Sequence, residues 1–347
     1  MKRFLFLAAA VLLFVAPPPA AGGTTPPACR VTVGAGVRLR AAPQTSGAEV
    51  CLLPLGTILE VRDRSAAPAT VGTKTDHWYQ VKAPDGRTGW VFGALTRPFS
   101  PDQAKTAWRE LFAERLARED APIDDHRELF HLAERLQKQF PAPTAAGAGG
   151  PDSGDDRTFA FELALVRLQA LHAMLQAIPH DRREKLVKTD PLLKSLADLI
   201  VYSEPAGCHF VRADEFWNLA DRATPLPVAE TIAWAAARQP LPGETEGYIP
   251  AVLAVIRLTD GRYLDRFPKG PHAEESVKRI DEYLANFDEF EFTRDNLPLE
   301  DVASAAEELD ALEKTLEPTG SPHLVSIFQR LTRLRAFCRP DPTAGKN

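Results

Sequence analysis

The chain has 347 residues, 44% of them hydrophobic, and a formal net charge of −6. That length allows two or three domains, and that hydrophobic content supplies packed cores. No run of basic residues with interleaved aromatics is present, which argues against a nucleic-acid binder.

Residues 1–23 read as an export signal. Lys2 and Arg3 open it, Phe4 to Ala16 is an unbroken apolar run, and Pro17-Pro18-Pro19 precedes the small residues Ala20-Ala21-Gly22-Gly23. The run is short for a bilayer span, which takes roughly 20 apolar residues. No later segment is expected to cross a membrane. Loss of Lys2 and Arg3 leaves a mature charge near −8. Residues 29–97 hold nine Lys/Arg and five Asp/Glu, so a basic segment precedes an acidic remainder of about −12. Export implies an oxidising compartment, where four cysteines can pair completely. The economical pairing is Cys29 with Cys51 and Cys208 with Cys338, one bridge per domain.

After a Pro/Thr linker at 24–28, residues 29–97 read as short strands. Val31/Val33 and Val37/Leu39 alternate, and Val50 to Leu53, Ile58 to Val61, Trp78 to Val81 and Gly89 to Phe92 follow. Gly47, Pro54-Leu55-Gly56 and Pro84-Asp85-Gly86 mark turns between them. So many short strands in so little chain suit a small barrel.

At Ser100-Pro101-Asp102 the hydrophobic period becomes helical. Trp108, Leu111, Phe112 and Leu116 line one helix. Leu129, Phe130, Ala133 and Leu136 line a second, from about Asp124 to Phe140. Residues 100–140 are therefore a helical hairpin and 141–156 a Pro/Ala/Gly linker. Residues 157–339 are expected to be all-α. The helices fall near 159–178, 190–202, 211–222, 226–238, 249–267, 272–287, 299–316 and 322–338, with no strand signal.

Val37-Arg38-Leu39-Arg40 with Pro43, Leu55-Gly56-Thr57, Trp78-Tyr79-Gln80-Val81 and Gly86-Arg87-Thr88-Gly89-Trp90-Val91 stand in a particular order and spacing. In these elements residues 30–96 resemble the bacterial SH3-like (SH3b) family. The resemblance implies a barrel that binds peptidoglycan peptides or another envelope partner, as an accessory without catalysis. The fold class expected is thus multidomain β + α. A small SH3-like barrel comes first, then an all-α helical bundle or irregular repeat-like solenoid. Tyr263 to Ser276 is similar to the inter-helix segment of tetratricopeptide-like repeats, though no regular period recurs. Residues 65–76 lengthen the loop before Trp78 relative to the family pattern, enough to cover or reshape a ligand groove.

Trp78, Tyr79, Arg87 and Trp90 form the candidate binding face. Indole and phenol rings can pack with one edge and present the other. The competing reading puts Trp90 in the core and Tyr79 on a plain strand surface. Peptidoglycan or an envelope protein is the expected partner. No cofactor or metal is expected, since His126, His131 and Glu134 do not share one helix face. No nucleophile elbow, zinc-protease motif or phosphate loop is present. Cys208 beside His209 is the weak nucleophile candidate. The rival to a non-enzymatic scaffold is an envelope hydrolase with a helical catalytic body, for which Glu215, Glu244 and Glu246 match no motif.

Overall fold

The computed structural model describes residues 29–118, 120–141, 154–204, 206–288 and 296–338. The expected signal, the 24–28 linker and residues 142–153 of the second linker lie outside them. The chain divides into two compact units, residues 1–179 and 180–347. The division does not coincide with the 141–156 linker, because the helix that follows that linker packs along the helix before it.

The first unit opens with nine strands: β1 (Cys29–Thr32), β2 (Val37–Arg40), β3 (Glu49–Leu53), β4 (Ile58–Arg64), β5 (Ala69–Val71), β6 (Lys74–Asp76), β7 (Trp78–Lys82), β8 (Thr88–Phe92) and β9 (Thr96–Phe99). Seven of them form one antiparallel sheet in the order β3-β2-β8-β7-β4-β1-β9. Alternation drives it: Leu39, Leu59, Val81 and Val91 are completely buried on one face. The 65–76 insertion is no plain loop. Its residues form the β5–β6 hairpin, turned at Gly72 with φ +61°.

Three helices follow, α1 (Ala104–Leu116), α2 (Ile123–Gln139) and α3 (Gly154–Gln176). The stripe residues expected in the hairpin are buried, apart from half-buried Leu116. Arg115 is buried among them and forms an ion pair with Asp125 at 3.0 Å. The turn between β3 and β4 sits on α2. The Leu55 N–H donates to Glu128 Oε2 at 3.0 Å, and Arg135 donates to the Leu55 carbonyl at 2.7 Å. Gly56 has φ +75°, and a Cβ there would lie 2.4 Å from Leu132 Cδ1, so the turn requires glycine. Contrary to expectation, α3 is long and apolar enough to span a membrane by length and composition. Here it is a core helix, with Phe159, Phe161, Leu163, Leu165, Leu168 and Leu171 buried around its circumference.

The second unit contains α4 (Arg183–Thr189), α5 (Pro191–Ser195), β10 (Ile200–Ser203), β11 (Cys208–Val211), α6 (Ala213–Ala223), α7 (Val228–Ala237), α8 (Ile249–Ile256), α9 (Arg262–Arg266), α10 (Ala273–Ala285), α11 (Val302–Leu316) and α12 (Leu324–Phe337). Asp190 caps α5 by accepting from the N–H groups of Leu192 and Leu193. The helix expected to reach Tyr202 stops at Ser195. The region is helical as expected, with one addition that the sequence did not signal: the antiparallel β10–β11 pair, in which Ile200, Val201 and Tyr202 face Val211, Phe210 and His209. β-Branched and aromatic residues on both sides of a turn with Gly207 at φ +58° favour a hairpin over a helix. A π-helical turn, Arg257–Gly261, joins α8 to α9. In the Tyr263–Ser276 segment, the Tyr263 hydroxyl accepts the His272 N–H at 3.2 Å and donates to Glu230 at 2.5 Å, fixing the turn into α10.

Neither expected disulfide forms. Cys29, Cys51 and Cys208 are free thiols. Cys29 on β1 lies opposite Glu60 and Phe99, whereas Cys51 on β3 lies opposite Leu39, and the two strands are not neighbours. Cys338 is buried just past the end of α12.

Candidate ligand-binding face

β7 and β8 pair in register, Gln80 with Trp90 and Tyr79 with Val91. Tyr79, Val81 and Val91 point into the core. Trp78, Gln80 and Lys82 therefore share the other face with Thr88, Trp90 and Phe92. On that face Trp78 is only 3% exposed and packs against Phe92, ring centroids 5.5 Å apart.

Tyr79 is 8% exposed and lies beneath a buried cation. The Arg30 guanidinium sits 4.1 Å from the Tyr79 ring centroid. Arg30 Nε donates to Thr96 Oγ1 at 2.6 Å, and Nη2 donates to the Gly93 and Thr96 carbonyls, each at 3.2 Å. Burial lowers the Arg30 pKa, while Tyr79 and then Asp76 oppose the shift. A Cβ on Gly93 would meet the Asp76 carboxylate and the Tyr79 ring at 2.7 Å. The inserted hairpin thus anchors through Asp76 at this inner cluster.

Trp78 and Tyr79 are accordingly corrected: both are interior side chains and neither presents a ring to a ligand. The core reading of Trp90 is corrected as well. Trp90 is half-buried at the centre of the open face. Arg40 stands opposite it on β2, Gln80 opposite it on β7, and Asp63 lies beyond Gln80 on β4. Arg40 is aimed by a 2.8 Å hydrogen bond to the Gly47 carbonyl. Arg87 is exposed in the β7–β8 turn, where its Nε donates to Asp85 at 2.8 Å. That pairing lowers the Asp85 pKa and raises that of Arg87. The row Arg40–Trp90–Gln80–Asp63 offers an aromatic surface between a cation, an amide and a carboxylate. It suits a ligand with both an apolar face and polar groups. Sequence reasoning passed over Arg40 and Gln80; the two-residue alternation along β7 from Trp78 was the signal for Gln80.

The other chemical candidates do not assemble. Neighbouring residues on a strand point to opposite faces, so Cys208 and His209 on β11 do not meet as nucleophile and base. His131 and Glu134 form an exposed pair at 3.5 Å on α2, while His126 is buried. Burial lowers the His126 pKa.

The family model of the bacterial SH3 domain matches residues 35–96. Residues 35–96 are a bacterial SH3 domain. No curated protein and no solved structure matches the chain. The matched segment runs from just before β2 to the first residue of β9. β1 lies outside it, yet pairs with β4 and β9 in the SH3 sheet and supplies Arg30. A bacterial SH3 domain makes this part of the chain a binding module.

Proposed function

We propose that the chain is an exported, non-enzymatic binding protein. Its SH3 domain recognises a cell-envelope component, peptidoglycan or an envelope protein, through the face centred on Trp90. The helices serve as scaffold. The half-exposed indole, held in register between Arg40 and Gln80, carries this reading. The apolar run after Lys2 and Arg3 supports export.

Fluorescence isolates the face. Of the five tryptophans, Trp78, Trp108, Trp217 and Trp234 are buried. Acrylamide quenching of the folded chain therefore reports Trp90. Soluble peptidoglycan fragments are expected to protect it from quenching, and Trp90→Ala is expected to abolish their binding. Binding that persists unchanged in Trp90→Ala moves the ligand elsewhere. Incubation with purified sacculi is expected to release no soluble fragments; release would make the chain a hydrolase.

A further inference from the structure

The row Arg40–Trp90–Gln80–Asp63 ends in opposite charges, and among the described residues neither end has an ion pair. The Arg40 guanidinium donates to the Gly47 carbonyl at 2.8 Å, which fixes its direction and leaves its other N–H donors available. Asp63 Oδ1 accepts the Arg64 N–H at 2.7 Å, and Oδ2 is left over. The charges that flank the row are neutralised locally: Arg38 bonds Glu49 at 2.9 Å, and Arg62 bonds Glu60 at 3.0 Å. Glu49 stands opposite Arg40 on β3 but is taken by Arg38. The carboxylate reaches the row through a β-bulge. β4 runs in register with β7 at Glu60–Lys82 and Val61–Val81, and the next regular pair would set Arg62 opposite Gln80. The register shifts there, and Asp63 stands opposite Gln80 instead. Bulges re-aim side chains and are over-represented beside functional sites. This one turns a row that would carry a cation at both ends into one with a cation and an anion.

We propose that Arg40 and Asp63 determine the specificity of this face, and that they select a peptide carrying both a free carboxylate and a free amine. The inference rests on the role proposed above for the Trp90 face. Arg40 holds the carboxylate and Asp63 the ammonium. The apolar part between them lies on the Trp90 indole, and a peptide group bonds Gln80, whose amide both donates and accepts. In the strand order β2-β8-β7-β4 the two charges are separated by three interstrand steps. That places their backbones roughly 14 Å apart, a span of about four extended residues. The ligand therefore crosses the strands, and in one direction only, since reversal brings like charges together. A neutral glycan satisfies neither end.

The test is titration calorimetry with soluble peptidoglycan fragments, untreated, acetylated on their amines, or amidated on their carboxylates. On the wild-type chain each blocking step is expected to weaken binding about tenfold, the scale of one charge-assisted hydrogen bond. Arg40→Gln is expected to weaken the untreated fragments by a similar factor. It then becomes indifferent to amidation while still losing affinity on acetylation, and Asp63→Asn gives the converse pattern. The blocked fragments are read on the wild-type chain, so that arm stands even where Arg40→Gln lowers stability. Blocked and untreated fragments bound equally well, with binding still lost in Trp90→Ala, overturn the charge selection and leave the Trp90 face as the site. An Arg40→Gln chain still sensitive to amidation, or an Asp63→Asn chain still sensitive to acetylation, overturns the assignment of the two ends. Fragments that bind unchanged in Trp90→Ala, or that do not bind at all, overturn this inference together with the reading beneath it.

Discussion

Each unit of the molecule buries a charge, and the two are treated differently. In the SH3 sheet, Arg30 has three hydrogen bonds to uncharged oxygens and an aromatic ring beneath its plane. In the helical unit, Asp260 is completely buried on the π-helical turn between α8 and α9. It has Arg279 at 3.3 Å on one oxygen, while Oδ2 has no hydrogen-bond partner. Burial pushes Asp260 up to about 7, opposed first by the Ser276 hydroxyl and then by the Arg238 charge. A satisfied buried cation stays charged and binds its strands together. A carboxylate with an orphaned oxygen takes up a proton instead, so pH enters the stability of the second unit but not, through Arg30, that of the first.

The largest effect expected from breaking this contrast lies in the sheet. Trp78→Ala removes a buried indole packed on Phe92 and is expected to cost about 3–5 kcal/mol, read from denaturant unfolding. An unchanged midpoint would mean that Trp78 is solvated. The next effect belongs to Asp260. An unfolded aspartate titrates near 3.8, while the folded one holds its proton to about 7. Its contribution is therefore fully present below about pH 4 and falls away as pH rises toward 7, by roughly 4 kcal/mol, after which the slope vanishes. Asp260→Asn is expected to flatten the melting temperature of the helical unit across that window. A slope that survives the substitution assigns the titration to another group. Somewhat smaller is Arg30→Met, expected to cost about 2–3 kcal/mol because Thr96 Oγ1 and the Thr96 carbonyl lose a buried donor inside the sheet. Thermal unfolding checks it, and a loss that disappears at high salt would mark Arg30 as exposed.

These residues also mark how far the sequence could be read. Strand alternation around Leu39, Val81 and Val91, and the turn glycines Gly56 and Gly86, make the SH3 strands legible in the sequence. The helical stripe from Leu163 to Met174 placed α3 in the core. What failed depends on distant parts of the chain. Arg30 is buried because Thr96, 66 residues away, accepts its hydrogen bond. Trp78 shares the open face by alternation but is closed off beside Phe92, which strand periodicity does not encode. Ile200 to Ser203 followed a helix start at Asp190 without a break, so the hairpin became legible only when paired with Cys208 to Val211.

The smallest expected change in stability is the one that bears most on function. Trp90 is half-exposed, and its neighbours Arg40 and Gln80 stand on separate strands with their own ladder contacts. Trp90→Ala is therefore expected to cost about 1 kcal/mol or less of stability, within the range of surface substitutions. It is nonetheless expected to remove envelope-ligand binding, since aromatic residues at the centre of a contact carry much of its energy. Measured side by side, Trp78→Ala and Trp90→Ala separate the two roles of an indole in one sheet. The first is expected to lower the unfolding midpoint strongly, the second to lower affinity with only a small change in midpoint. Equal losses of stability from the two substitutions would place Trp90 in the core and leave the open face without its aromatic centre.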